Sequence, residues 1–344
     1  MPITAIIRST SLSLLILLSV QNVLANDVTN YSEDKISFVV IGDMPYSDAQ
    51  HAMLSAPYGE IYTAIRKTNP PALIHLGDFK SGSSTCSNQL FEERYTQISQ
   101  LNPHKVIYTP GDNDWTDCDR LGQFPRFDEL ERLSFLRQLF YHDDKHQLTR
   151  GIPGLTRQTG FIENAMWQIA NIQFATLHVP GTNNGRKEIY RSDINQALDE
   201  ADLRDQSNEQ WLNQLFESAH DAHAVVIAFQ ADIYYTGMTK PACSLTNRTD
   251  CDGYKQLRDL IAKHARTYKK PILVIHGDTS AYCLQQPYTS IPNLWRLNAA
   301  GDYKILDANQ ITVDPENYDA PFQIIGLIDQ QEPPEICDYK LIGS

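Results

Sequence analysis

Short apolar runs alternate with longer amphipathic stretches along most of the chain. The apolar runs are rich in β-branched and aliphatic residues and end at turn-forming residues, which is typical of buried strands. They predict strands at 36–43, 72–78, 105–112, 172–179, 224–232, 271–278 and 322–329. The amphipathic stretches predict helices at 58–68, 88–101, 127–140, 206–220 and 254–267. Apolar strands joined by helices indicate an α/β fold whose sheet is covered on both faces.

One helix start carries a clear capping signal. Ser207 would be the N-cap of the fourth predicted helix, and Gln210 follows three residues later, as in a capping box. The loops at 141–165, 181–190 and 236–252 are rich in Gly, Asn, Asp and charged residues. We expect these loops to form the rim of any functional site.

The first 25 residues have the pattern of a cleaved signal peptide. Arg8 is followed by an apolar run from Leu12 to Val20, and small or aliphatic residues stand where a signal peptidase reads the chain. The run is about ten residues long, shorter than the roughly 20 that span a bilayer, and no cysteine at the cleavage site could accept a lipid. We expect a secreted or periplasmic protein without a membrane anchor, with a single domain over 34–344.

All six cysteines lie after this segment. An even count in an oxidising compartment favours three disulfides, and the lack of a C-x-x-C pair argues against a zinc ribbon. We expect the pairs Cys86–Cys118, Cys243–Cys251 and Cys283–Cys337. Only the second pairing is favoured by spacing, because it closes a short loop.

The composition is acidic. There are 42 Asp and Glu against 29 Lys and Arg, which gives a formal net charge of −13. Such a surface repels nucleic acid and anionic membranes. An anionic substrate would need a local positive charge, such as a metal ion.

Four of the predicted strands end in the same dipeptide, a glycine followed by an aspartate. These are Gly42-Asp43, Gly77-Asp78, Gly111-Asp112 and Gly277-Asp278. In α/β sheets, ligands bind outside the carboxyl ends of the strands, where loops converge. Four carboxylates brought together repel one another, and a bound cation is the usual remedy. One Gly-Asp is usually a simple turn, but four on separate strands predict a shared acidic site that holds a metal ion.

The order of these motifs resembles the calcineurin-like metallophosphoesterases. That family carries Asp-x-His, Gly-Asp, Gly-Asn-His-Asp/Glu, a lone His and Gly-His-x-His at successive strand ends. This chain has GDMPY, LGDFK, PGDND, AFQAD and IHGDTS in the same order, from Asp43 to Ser280. The resemblance implies an αββα sandwich, with two packed mixed sheets flanked by helices, and a metal-dependent phosphoesterase.

The resemblance also implies which residues hold the metal. Asp43 matches the first metal-binding Asp, Asp78 matches the Asp that bridges two metals, and Asp112 stands where the family has a metal-binding Asn. Gln230 replaces the lone His, and Asp278 replaces the first His of the last motif. Because these ligands are oxygens, one or two ions of Mg²⁺, Mn²⁺ or Ca²⁺ suit the site better than Zn²⁺ or Fe.

The catalytic His of the family is replaced by Asn113. An amide can hold a phosphate oxygen but cannot donate a proton to a leaving group. Another register places Asn113 on the metal and Asp114 at the catalytic position; the Pro-Gly before Asp112 favours the first register. His276 shares a strand face with Asp278 and is a reserve catalytic acid or ligand.

Two main hypotheses of function follow. The first is an exported hydrolase of small phosphate mono- or diesters that uses a metal-activated water. The second is a catalytically inactive protein of the same fold that binds a ligand or partner through its acidic pocket, since the family's motif histidines are replaced. A purely structural calcium site is a third idea.

Overall fold

Two mixed sheets form the centre of the fold. The computed structural model describes residues 1–2, 35–142, 148–235 and 239–339. The first sheet has the order β12 (Phe322–Gly326), β11 (Asn309–Val313), β1 (Ile36–Ile41), β2 (Leu73–His75), β3 (Val106–Tyr108). The second has the order β4 (Thr156–Gln158), β5 (Phe161–Ile169), β6 (Ile172–Thr176), β7 (Ala224–Ala228), β8 (Ile272–His276), β10 (Leu294–Asn298), β9 (Cys283–Gln285).

Each sheet contains one block of neighbouring parallel strands. Strands β1, β2 and β3 are parallel, as are β6, β7, β8 and β10. The remaining pairs of both sheets are antiparallel. The carboxyl ends of the parallel strands in each sheet therefore lie at one edge of that sheet.

Helices cover the outer faces of the sheets, and two short segments, a 3-10 helix (Thr116–Asp119) and α5 (Gly181–Gly185), lie in loops beyond the strand ends. The covering helices are α1 (Asp48–Leu54), α2 (Glu60–Thr68), α3 (Asn88–Leu101), α4 (Glu129–Tyr141), α6 (Ile194–Ser218) and α7 (Lys255–Tyr268). Side-chain caps begin several of them: Ser87 accepts from the amide of Leu90, and Asp128 accepts from that of Glu131. Within the described ranges, no helix has the length and apolar character needed to cross a membrane.

Alternation along the strands separates the core into layers. In β1, Phe38 and Val40 belong to the apolar cluster between the sheets, whereas Val39 and Ile41 belong to the cluster beneath α1 to α4. The ring of Phe38 meets that of Phe174 from β6 edge to face, with centroids 5.2 Å apart. A third cluster packs α6 and α7 on the second sheet. The architecture is therefore α/β, with two mixed sheets face to face.

The strand predictions are confirmed, with one systematic error. All seven predicted strands exist, but each ends two to four residues earlier than predicted. The Gly-Asp dipeptides lie just beyond the strands, in the loops where the backbone turns. Strands β4, β5, β9, β10 and β11 were not predicted, because they are short or carry polar residues on one face.

The predicted start of the fourth helix was wrong. Helix α6 begins at Ile194, with Asp193 as its N-cap, and Ser207 lies in its interior. The first half of α6 buries only one large apolar residue, Leu198, beside Ala197, Ala201 and Arg204, so its sequence lacks a clear amphipathic pattern. The other four predicted helices begin and end within two residues of the observed ones.

All three predicted disulfides are present: Cys86–Cys118, Cys243–Cys251 and Cys283–Cys337. Disulfides of this number are typical of proteins that fold in an oxidising compartment. The described residues from 35 to 339 belong to one compact unit. The predicted signal peptide, residues 1–25, lies almost wholly outside the described residues.

Candidate acidic site at the strand ends

The predicted acids meet at one point. The carboxylate oxygens of Asp78, Asp112 and Asp278 lie 3.1, 3.2 and 3.4 Å from the Nε2 atom of Gln230. Asp43 joins them, because its Oδ1 accepts from the backbone amide of Asp278 at 3.1 Å. Asp43, Asp78 and Asp112 follow strands of the first sheet and Asp278 follows β8 of the second. The two sheets thus deliver their terminal acids to a common cluster.

The backbone at these strand ends is adapted to close packing. Asp43, Asp78 and Asp278 have φ of 51°, 53° and 71°, the left-handed region that Asp tolerates better than most residues. A Cβ at Gly277 would lie 1.8 Å from Oδ2 of Asp43, and one at Gly111 would lie 2.0 Å from Oδ1 of Asp78. The glycine of one dipeptide therefore makes room for the carboxylate of another.

An open polar cavity of about 660 Å³ lies over the cluster. Its walls include five acids, Asp78, Asp112, Asp117, Asp278 and Asp302. Tyr46, Asn113, Arg120 and Tyr303 also line it, whereas Asp43 and Gln230 are buried beneath its floor. The cavity is large enough for a small ligand to reach the acids.

Hydrogen bonds place Asn113 in the cavity. Its Nδ2 donates to Asp78 Oδ2 at 2.9 Å and to the hydroxyl of Tyr46 at 3.0 Å. Asp114 is fully buried and accepts from the backbone amides of Asp78, Phe79 and Gly111 and from the hydroxyl of Tyr108. The register that places Asp114 at the catalytic position does not fit this geometry, because its carboxylate supports the loop from below.

Gln230 acts here as a donor. Its Oε1 accepts from the amide of Gly181 at 2.6 Å, which directs its Nε2 towards the three carboxylates. To serve as a metal ligand, Gln230 would have to present Oε1 and give up the bond from Gly181. Its role as a ligand stays a prediction.

Burial and mutual repulsion favour the protonated forms of Asp43, Asp78 and Asp278. Burial, together with the charges of Asp302 and Asp112, raises the pKa of Asp43 to about 8. Burial and neighbouring carboxylates also raise the pKa of Asp78 and of Asp278 well above the usual range. A bound cation would reverse these shifts, because it stabilises the charged form.

His276 is fully buried and does not line the cavity. Its Nε2 is 3.6 Å from Oδ1 of Asp232, and its Nδ1 is 3.1 Å from the carbonyl oxygen of Gly277. Asp232 in turn donates its backbone amide to Oδ2 of Asp278 at 3.1 Å. Burial lowers the pKa of His276, which favours the neutral imidazole. A catalytic role for His276 stays a prediction, and any such role would pass through Asp232.

Asp302 is a site residue that the sequence reasoning missed. It lines the cavity, and its backbone amide donates to the carbonyl oxygen of Asp43 at 2.7 Å. It follows Gly301, so this is a fifth Gly-Asp dipeptide after a strand. The signal was therefore present, but it was missed because β10 was not predicted.

The prediction that the Gly-, Asn- and Asp-rich loops form the rim of the site is only partly confirmed. Loop 181–190 contributes Thr182 and Glu188, which bond to Asp112 and Arg120. Much of the described wall instead comes from residues 112–123. Loop 141–165 contains β4 and the start of β5, and none of its described residues lines the cavity.

The turn α5 is a second missed element. Thr182, Asn183 and Asn184 have φ between 51° and 58°, so the turn is left-handed, at a cost of roughly 1–2 kcal/mol per residue. Thr182 Oγ1 lies 2.8 Å from Asp112 Oδ2 and 2.9 Å from Asp117 Oδ1. A hydroxyl carries one proton and can donate to one of them at a time. The turn therefore brings a neutral donor between two buried acids.

Thr182→Val is expected to destabilise the protein by about 1–3 kcal/mol, because two buried carboxylates lose their hydroxyl partner. Thr182→Ser keeps the hydroxyl and should remain within about 1 kcal/mol of the wild type. Urea unfolding measures both. Thr68→Val is a matched control, since the Thr68 hydroxyl bonds only to the carbonyl oxygen of Ala64 in its own helix. Equal stability of Thr182→Val and the wild type would contradict this role.

The site has the type of ligand atom that a hard cation binds, but the atoms are not at metal-binding distances in this structure. No group of three or more His, Cys, Asp or Glu side chains in the described ranges has the arrangement of a ready metal site. The carboxylate oxygens of Asp78, Asp112 and Asp278 lie 3.1–3.4 Å from Gln230 Nε2, the atom around which they converge. Ca²⁺ and Mg²⁺ bind oxygen at about 2.0–2.6 Å. The donors are nevertheless all carboxylate oxygens, buried and close together. A cation among them would require the Gln230 amide nitrogen to turn away from the point where they converge.

Comparison with known proteins adds no assignment. No protein-family model matches the chain, and no curated protein matches it. The likeness to metallophosphoesterases therefore rests on the order of the strand-end motifs.

Proposed function

We propose that the protein is an exported, metal-dependent phosphoesterase with a metallophosphoesterase-like fold. One observation carries the proposal: acids that follow four strands, in both sheets, converge on the floor of an open polar cavity or, for Asp43, directly beneath it. Burying mutually repelling carboxylates costs stability unless the acids take up protons or a positive charge joins them. The motif order supports the same function.

The residues have separate tasks in this proposal. Asp43, Asp78, Asp112 and Asp278 would hold one or two divalent ions, with Gln230 as a further predicted ligand. Such an ion lowers the pKa of a bound water and neutralises phosphoryl charge. Asn113 and the hydroxyl of Tyr46 lie at the cavity surface, where they orient the substrate's oxygens.

A second function, the non-catalytic binding of a ligand or partner, is favoured by one observation. The Nε2 of Gln230 already stands among three carboxylate oxygens, where an amide donor partly replaces a cation. If that arrangement persists when divalent ions are present, the acidic pocket binds without hydrolysis.

The two functions are separated by an activity assay with the mature protein. Aryl phosphate mono- and diesters are incubated with Mg²⁺, Mn²⁺ or Ca²⁺ after chelation. We expect hydrolysis that depends on added ion and falls by at least about 100-fold in Asp78→Asn, which lacks a charge at the floor of the cavity. Asp221→Asn, at a fully exposed site, is the charge-matched control. Absence of turnover with every ion, in a folded protein, would support the binder instead.

A further inference from the structure

The cavity above the acid cluster has large apolar side chains at its mouth. Tyr303 and Leu121 both line the cavity, and they are 63% and 69% exposed. Single exposed apolar side chains are common on protein surfaces and need no explanation. Here two of them line one cavity, and the buried acids Asp78 and Asp112 lie at its floor. The cavity is therefore acidic at its floor and partly apolar at its mouth.

Tyr46 connects the floor of the cavity to its mouth. Its hydroxyl donates to Asp78 Oδ2 at 3.0 Å and accepts from Asn113 Nδ2 at 3.0 Å. Its ring contacts the ring of Tyr303, with centroids 5.1 Å apart and ring planes inclined at 55°. The side chain of one tyrosine therefore spans the distance between the carboxylates and the Tyr303 ring. A ligand that reaches both is a small molecule.

The backbone next to Tyr303 is fixed at three points, all on Asp302. The amide of Asp302 donates to the carbonyl oxygen of Asp43 at 2.7 Å, and its carbonyl oxygen accepts from Gln50 Nε2 at 2.9 Å. Its carboxylate accepts from the hydroxyl of Ser280. The loop that presents the Tyr303 ring is thus ordered before a ligand binds, which lowers the entropic cost of binding.

A mostly exposed aromatic ring beside the acid cluster favours one kind of ligand. Aromatic rings attract one another in offset or edge-to-face arrangements, beyond the effect of the area that they bury. Tyr46 covers only part of the Tyr303 ring, so the exposed part is open to a second ring. A phosphate group bound at the floor would direct its organic substituent towards the mouth, where this ring lies.

Resting on the proposed function, we infer that Tyr303 determines specificity by stacking on an aromatic ring in the organic part of the substrate. The substrate class is a small phosphate ester that carries such a ring, as an aryl group or as a nucleobase. The phosphate lies at the acids, the Tyr46 hydroxyl contacts one of its oxygens, and the ring of the substrate lies against Tyr303. Leu121 adds an apolar contact at the mouth.

Phosphonates test the ring contact without turnover, because their carbon–phosphorus bond is not an ester. In calorimetric titration of the disulfide-intact protein with Mn²⁺, phenylphosphonate should bind about 3- to 10-fold more tightly than cyclohexylphosphonate, which has a similar size but no aromatic ring. Tyr303→Ser should abolish this preference, and Tyr303→Phe should retain it. Tyr318→Ser is the matched control, since Tyr318 is 73% exposed and does not line the cavity. It should show the preference of the wild type.

A second ligand identifies the source of the ring. The methylenephosphonate analogue of adenosine 5′-monophosphate carries its ring on a ribose, whereas phenylphosphonate carries it on the phosphorus atom. If the ring is a nucleobase, Tyr303→Ser should weaken binding of the adenosine analogue by about 10- to 100-fold and that of phenylphosphonate by less. The opposite order identifies an aryl group.

The outcomes separate this inference from the proposed function. A Tyr303→Ser variant that binds both aromatic phosphonates as the wild type does, or a wild type that binds neither, overturns the role of Tyr303. Ion-dependent hydrolysis of phenyl phosphate and of adenosine monophosphate, with KM values unchanged in Tyr303→Ser, overturns that role but supports the phosphoesterase. Phosphonate binding that depends on Tyr303, in a protein that hydrolyses no ester, supports the role and overturns the phosphoesterase. Thermal melting of each variant confirms that it is folded.

Discussion

A divalent ion is expected to raise the melting temperature of the chelated protein strongly near pH 8 and weakly near pH 5. At about 100 times its dissociation constant, a bound ion adds about 2.7 kcal/mol of stability, which corresponds to about 4 °C for a chain of this size. The gain depends on pH because the ion binds the deprotonated acids, and protons compete with it. Differential scanning calorimetry with Mg²⁺, Mn²⁺ or Ca²⁺ at the two pH values measures the effect.

The sign follows from the pKa of Asp43. Burial and neighbouring acids raise this pKa from 3.8 to about 8 in the folded protein without ions. Between these values the folded state holds a proton that the unfolded chain has released, so stability without ions falls as pH rises. Below pH 3.8, the pKa of Asp43 in the unfolded chain, both states are protonated and Asp43 does not change the stability. A bound ion should therefore restore the most stability near pH 8, where the stability lost without ions is largest.

Asp78→Asn separates this effect from non-specific ion binding. The variant has one fewer buried carboxylate, so without ions near pH 8 it should be more stable than the wild type. It should also gain little when ions are added, because a predicted bridging ligand is missing. An equal gain in the variant and the wild type, or an equal gain at both pH values, would mean that the ions bind elsewhere.

Gln230→Glu is expected to make folding depend on a divalent ion. The substitution replaces an amide, whose Nε2 lies 3.1–3.4 Å from three carboxylate oxygens, with a further carboxylate in a fully buried position. Loss of the donor and the added repulsion should cost about 3–5 kcal/mol in the presence of a chelator. A cation that binds the new carboxylate should recover much of this loss. Denaturant unfolding with chelator and with Mn²⁺ measures both quantities.

Gln173→Glu is the matched control for this experiment. Gln173 is also buried, but its Nε2 donates to the carbonyl oxygen of Trp167, away from the acid cluster. This variant should be destabilised with or without ions. The role assigned to Gln230 fails if Gln230→Glu in chelator is as stable as the wild type, or if ions rescue both variants alike.

Local sequence was sufficient to predict the position of the acid cluster. Each Gly-Asp follows an apolar run that is long enough to be a buried strand, and parallel strands place their carboxyl ends together. Asp43, Asp78, Asp112 and Asp278 could therefore be assigned to one site without knowledge of the sheet order. The same dipeptide at Asp302 was not used, because the preceding strand β10 contains Arg296 and Asn298 and was not recognised.

Other parts of the site depend on long-range contacts that leave no local pattern. The left-handed turn α5 is stabilised by bonds to Gln230, Asp112 and Tyr254, which are distant in sequence. Asn183 and Asn184 tolerate the left-handed region singly, but the segment 181–185 does not by itself predict three consecutive non-glycine residues there. The direction of the Gln230 amide is likewise decided by Gly181. Sequence reasoning could name Gln230 as a site residue but could not tell a donor from a ligand.

The close contacts between the glycines and the acids restrict which substitutions this site can accept during evolution. Because Gly277 faces Asp43 and Gly111 faces Asp78, a side chain at either glycine is tolerable only after the acid opposite has become smaller or has moved. Substitutions in such pairs are not independent, so the order in which they occur matters. A descendant that lost its acids would be free to lose these glycines as well, whereas one that kept the acids would have to keep both.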